Sequence, residues 1–189
     1  MTVQTPVLRW QRQEMNRLKS EHGHAYCSGA VFHGTDLPPD RVLLEGIPAT
    51  GGRDFDLSEH QRQVIQAGEP KEEQSALRGS CLMASTPAGF AGEGGWVYKL
   101  HPVGGGIDIN AALGPKKVDL AKGTLEGSIM PGETEIAFAS YQPPCQIEGY
   151  FQVGSFSEAH GKHRLGKFVP NPHFSPGAWE KEQFTTNQP

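Results

Sequence analysis

Apolar residues near the start of this chain recur at helical spacing, whereas those in its second half run together or alternate as strands do. Over residues 8–19, Trp10, Met15 and Leu18 lean to one side among Arg9, Arg12, Arg17 and Lys19, which predicts a peripheral amphipathic helix. A strand is predicted over 26–33, with its β-formers towards the end. The run DLPPDRVLLEG then has the marks of a short helix: Asp36 as N-cap, prolines in the first turn, Val42 and Leu43 as its apolar side, Gly46 as terminator. Residues 57–67 carry another helix signal, with Ser58 and Gln61 as a capping box and Gly68 as the stop. EPKEEQSALRG reads as a solvated connector. Beyond it, strands are predicted at 80–85, 95–101, 106–109, 134–139 and 145–153. The stretch 110–133 is long for a plain connector and is a candidate functional loop. From Gly161 onward the chain reads as loop-like. Helices early and strands late indicate an α+β fold rather than alternating βα units.

Composition narrows the class. With 24 Gly and 15 Pro among 189 residues, a helical bundle or coiled coil is excluded, since both need long uninterrupted helical windows. A chain of this length is one domain's worth and can bury a core without disulfides or a metal. The formal net charge of −4 gives no overall basic field for nonspecific nucleic-acid binding, although a local basic groove would suffice for an enzyme. Cys27, Cys81 and Cys145 are an odd number without a CxxC pair, and the last two, inside apolar runs, are expected to be buried free thiols. No signal-peptide h-region or membrane-length apolar window is present, so the expectation is a soluble protein.

Few patterns carry chemistry. His22, His24 and Cys27, and separately His160 and His163, lack a second half at zinc spacing and are expected at the surface, so no metal is predicted. The glycines at 92, 94 and 95 and at 104–106 form neither a Walker loop nor a dinucleotide fingerprint and read as turns. Two patterns rise above this background. In Val31-Phe32-His33-Gly34-Thr35, alternation puts His33 and Thr35 on one face, with a Gly between them where backbone approaches a ligand. In Glu133-Thr134-Glu135-Ile136-Ala137-Phe138, the apolar pair faces the core and the two carboxylates share the other face, either as a solvated strand surface or as a cleft that moves their pKa values apart.

Taken in order, these segments resemble the mono-ADP-ribosyltransferase toxins of the pertussis/cholera type, in their scabin/pierisin branch. The run from His33 to Ile47 is similar to that family's first strand and following helix, Gly104 to Gly114 to its GGIDVNATLG segment, Ala84-Ser85-Thr86 to its Ser-Thr-Ser, and Glu133-Thr134-Glu135 to its final E-x-E or Q-x-E motif. The likeness spans roughly 31–153. His33 stands where that branch has Arg, and His33-Gly34-Thr35 instead resembles the His-x-Thr/Ser of the diphtheria-toxin and poly(ADP-ribose) polymerase branch.

The resemblance implies a fold, an α+β, ADP-ribosyltransferase-like split antiparallel β-sandwich with helices packed on one side. It implies an N-terminal helical segment at 1–25, a catalytic domain at 26–160 and a loop-like tail at 161–189. It further implies NAD as substrate, Glu135 as the catalytic carboxylate on the ribose 2′-OH, and Glu133 serving the acceptor. His33 and Thr35 would bind a ribose hydroxyl, the Gly34 backbone the nicotinamide amide, and Ser85 and Thr86 would hold Glu135. The acceptor would be a macromolecule, a protein arginine or a nucleic acid; an NAD glycohydrolase or a non-catalytic NAD-binding module are the alternatives. An immunity or delivery protein is an implied partner, and a specialised secretion system or larger toxin the implied route into a target cell's cytosol.

Overall fold

The computed structural model describes residues 13, 16–47, 77–81, 85–108, 111–112, 117–119, 124–126, 135–139 and 141–177. In chain order the strands are β1 Tyr26–Cys27, β2 Val31–Thr35, β3 Leu77–Cys81, β4 Trp96–Leu100, β5 Gly106–Asp108, β6 Lys117–Asp119, β7 Thr124–Glu126, β8 Glu135–Ala139, β9 Ile147–Ser157, β10 Lys162–Leu165 and β11 Val169–Pro170. Among the described residues the helices Pro39–Glu45 and Ser85–Ala91 lie between strands.

Nine strands form one sheet in the order β1-β5-β8-β3-β2-β4-β9-β10, with β11 also on β9; β6 and β7 form a separate hairpin. Every registered pairing is antiparallel. The registers are uneven. β2 meets β4 over five residue pairs and β3 meets β8 over five, while among the described residues β2 is registered with β3 at Phe32↔Cys81. Among the described residues that pair joins the two parts of the sheet, β1-β5-β8-β3 and β2-β4-β9-β10, and the mixed helix and antiparallel-sheet fold is the class expected.

Alternation along the strands gives each face its own core. On one face Val31, Tyr98, Leu100, Ile136, Phe138 and Ile147 are buried together with Val42 of the Pro39–Glu45 helix. On the other, Val97 and Val153 pack with Ala88 of the Ser85–Ala91 helix, and Phe32, Phe151 and Leu165 close around them. Each such side chain contributes about 1.5–3 kcal/mol when fully buried. The Tyr98 hydroxyl donates to the Leu37 carbonyl at 2.7 Å, which ties the segment leading into the Pro39–Glu45 helix to β4, and burial raises its pKa. Gly46 ends that helix at φ 81°, where a Cβ would also lie 2.3 Å from the Gln142 carbonyl oxygen.

The structure amends several sequence expectations. The described helices divide between the two faces rather than sharing one. The strand expected at 26–33 is broken between β1 and β2, and the N-cap is Pro38, not Asp36. The strand expected at 80–85 begins instead at Leu77, within the expected connector, and Ser85 opens a helix. The long 110–133 stretch contains the β6–β7 hairpin. The tail beyond Gly161 is not a plain loop, because β10 and β11 both pair with β9. Asn171, 5% exposed, fastens that segment by donating to the Pro144 and Ile147 carbonyls. The Cys145 thiol is half-buried rather than buried. Residues 16–21 are helical, with Leu18 buried, in agreement with the first predicted helix; the helix expected at 57–67 lies outside the described residues. Among the described residues no helix is long and apolar enough to cross a membrane.

Candidate active site

The register between the half-sheets sets where the two chemical patterns of the sequence stand relative to each other. Glu135 opens β8 and is registered with Cys81, which is registered in turn with Phe32, and Phe32 with Lys99. Registered residues share a face, and adjacent strands lie about 4.8 Å apart, so the backbone at 135 is roughly 10 Å from that at 32. Ile136 and Phe138 are buried in the first core, which puts position 135 on the second face, under which Phe32 and the Ser85–Ala91 helix pack.

Gly34 belongs to this second face. A Cβ there would stand 2.0 Å from the Pro87 carbonyl oxygen, so only glycine admits the helix this close. Ser85 and Thr86 are the two helical residues immediately before that contact. The backbone therefore gathers Gly34, Ser85 and Thr86 over β2, with position 135 two strands away on the same face.

His33 and Thr35 share a face with one another, as alternation requires, but it is the opposite one. The His33 ring is 5% exposed and meets Phe138 edge-on, centroids 6.3 Å apart at 80°. The Thr35 hydroxyl accepts from the Leu37 N–H at 3.3 Å and lies 3.4 Å from the Asp36 carboxylate, a turn that leads into the Pro39–Glu45 helix. Glu133 lies outside the described residues.

One polar cluster was not foreseen. Lys99 and His101 both hydrogen-bond Glu148, at 2.6 and 3.0 Å. Partial burial pushes the Glu148 carboxyl upward, but the hydrogen bonds and charges of Lys99 and His101 outweigh it and hold the pKa below the ordinary value. The only sign in the sequence is a single charged residue within each of two runs, WVYKL and CQIEGY. Beside the cluster, His101, Tyr26, Ser28, Gly104, Gly105 and Gln146 line an open polar cavity of about 230 Å³. Among the described residues no group of three or more His, Cys, Asp or Glu is placed to hold a metal.

The described residues form a mixed helix and antiparallel-sheet fold of the kind found in ADP-ribosyltransferases. Solved structures similar to this chain include EcPltA, with a TM-score of 0.53 at 14% identity over 79% of this chain and 89% of that one. A guanine-specific ADP-ribosyltransferase matches at TM-score 0.53 and 18% identity, over 79% of each chain. A variant of the scabin toxin from Streptomyces scabies matches at 0.52 and 17%, over 79% of this chain and 77% of that one. At these identities the likeness is one of fold. No protein-family model matches the sequence, and no curated protein matches it.

Proposed function

We propose that this protein is an NAD-dependent mono-ADP-ribosyltransferase of the toxin type, which breaks the nicotinamide–ribose bond of NAD and passes ADP-ribose to a macromolecule. One observation carries the reading. Glu135, of the E-x-E pattern, opens a central strand whose backbone register runs through Cys81 to Phe32 of β2, the strand on which Gly34 meets the Ser85–Ala91 helix.

The chemistry suits those residue types. Departure of nicotinamide leaves an oxocarbenium-like ribose, and a fixed carboxylate in a cleft stabilises that charge while hydrogen-bonding the 2′-OH. Glu135 takes this role. Glu133, two residues earlier, orients or deprotonates the acceptor nucleophile. The Gly34 backbone receives the nicotinamide amide, and Ser85 and Thr86 steady Glu135. His33 and Thr35 serve a ribose hydroxyl; for His33, packed on Phe138, this requires the ring to turn from its core position when NAD binds. The long 115–132 stretch presents the target, and an immunity or delivery protein is the further partner.

The test is incubation with NAD labelled in the ADP-ribose, in separate pools of protein, DNA and RNA. Label retained by one pool is the expected result, and Glu133→Ala should abolish that transfer while NAD hydrolysis persists. NAD consumed with label in no pool makes the protein an NAD glycohydrolase. No NAD consumption makes it a non-catalytic module.

A further inference from the structure

We propose that the open cavity beside the Lys99–Glu148–His101 cluster is a second binding site, one that takes a single neutral sugar residue. It shares no residue with the candidate active site and stands apart from the transferase reading. Its wall converges from separate parts of the chain: Tyr26 and Ser28, the turn from His101 to Gly105, Gln146, and the Pro176–Gly177 end of the last described segment. Those pieces are fixed from behind. His101 is held by Glu148 at 3.0 Å and lies on Phe174, ring centroids 5.1 Å apart. The Gly177 N–H donates to the Gln146 Oε1 at 3.3 Å, and the Ser175 N–H to the Cys145 carbonyl at 2.9 Å. Gly104 and Gly105 turn at φ 77° and 78°, and a Cβ at Gly105 would stand 2.7 Å from the Tyr26 hydroxyl. The wall is thus formed before any ligand arrives.

Charge, hydrogen-bonding groups and size decide the ligand class. Among the described residues no Lys, Arg, Asp or Glu lines the cavity, and the Glu148 carboxylate behind it is shared by Lys99 and His101. Lys19 stands over the Tyr26 ring at 4.2 Å, outside the wall. An ionic ligand would lose water here without meeting an opposite charge, so a neutral one is favoured. The Tyr26 and Ser28 hydroxyls have no protein partner among the described residues, and each can donate and accept. The Gln146 amide, its oxygen engaged by Gly177, offers NH2 donors. His101 gives its Nε2–H to an ionised carboxylate, so Nδ1 of the neutral ring is an acceptor. Mixed donors and acceptors match the hydroxyls of a sugar, each of which also does both. Pro102 and Pro176 add apolar surface for the C–H face of such a ring. At about 230 Å³ the cavity falls short of the roughly 300–1,000 Å³ of sites for drug-sized ligands. It admits one ring and not a dinucleotide.

The experiment is saturation-transfer NMR on the full chain, without NAD, at millimolar concentrations of methyl glucoside, methyl galactoside and N-acetylglucosamine. Nicotinamide and inorganic phosphate are run beside them. The proteins compared are the wild type and a Tyr26→Phe/Ser28→Ala variant, which removes two hydroxyls and keeps the aromatic ring. Binding of at least one sugar by the wild type is expected, weakened about 10-fold or more in the variant, because each lost hydrogen bond costs a factor of a few. Melting temperature and nicotinamide release from NAD should be unchanged. Should the pair lower the melting temperature, Ser28→Ala, at an exposed position, carries the test alone with a loss of about 5-fold. No sugar bound by the wild type would overturn the proposal, as would equal binding by wild type and variant. Nicotinamide or phosphate binding in place of the sugars would overturn it too, by assigning the cavity to another ligand class.

Discussion

In the half-sheet β2-β4-β9-β10, β4 is registered over five residues with each neighbour and β9 runs for 11 residues. In the half-sheet β1-β5-β8-β3, β1 has two residues and β5 three. The first half is a platform covered on both faces, by the Pro39–Glu45 helix and by the Ser85–Ala91 helix. The second has shorter outer strands and carries Glu135 at the very start of a strand, where among the described residues Cys81 is registered with it. Long registered strands give rigidity, and short ones leave local freedom at modest free-energy cost. On the proposed reading this is a division of labour: one half fixes the fold and the other places Glu135 at the start of a strand whose outer neighbour is short.

Substitutions in the platform should therefore act on stability first. Gly34→Ala has the largest expected effect, because its Cβ would stand 2.0 Å from backbone that cannot yield cheaply. A loss of about 3 kcal/mol is expected, visible as a melting temperature lower by roughly 10 °C. A variant that melts like the wild type would show that the helix is free to move off β2.

His33→Ala sharpens the comparison, since His33 belongs to the platform by packing and to the site by proposal. Loss of the ring against Phe138 should cost about 2 kcal/mol in thermal or denaturant unfolding. The KM for NAD should rise in the same variant, with Thr35→Ala acting in the same direction and more weakly. A lowered melting temperature with unaltered KM would confine His33 to the core and remove it from the site.

The smallest effect concerns Glu148. Its carboxyl has a lower pKa in the folded protein than the ordinary 4.5, so around and below that pH the unfolded chain binds more protons. The Lys99–Glu148–His101 cluster thus contributes fully above the ordinary carboxylate pKa and loses its contribution as pH falls through the depressed one. Glu148→Gln should cost about 1 kcal/mol at neutral pH, a difference from wild type that shrinks on acidification. A difference independent of pH would contradict the charge-based account.

Much of this architecture was legible in the sequence where local chemistry and tertiary context agree. The β-branched and aromatic residues of WVYKL and the apolar EIAFA mark β4 and β8 directly, and Gly46 marks the end of its helix. The Ser85–Ala91 helix was hidden because Pro87 and Gly89 both lower helix propensity, and it forms by packing Ala88 on β2 and β4. β10 was hidden because KHRL has no apolar alternation; an edge strand is made by its neighbour's backbone. For the site, the E-x-E pattern marked the strand start, and alternation paired His33 with Thr35. What alternation along one strand cannot reveal is which face a second strand offers. The register Phe32↔Cys81↔Glu135 sets that, and it puts position 135 opposite His33.

The central claim is that Glu135 supplies the charge that breaks NAD. Release of nicotinamide from NAD, measured for the wild type and for Glu135→Gln at matched melting temperature, tests it most directly. The account predicts cleavage by the wild type and a loss of about 10²-fold or more in the near-isosteric variant. Cleavage by Glu135→Gln within a few-fold of the wild type would contradict it and move the reacting carboxylate elsewhere.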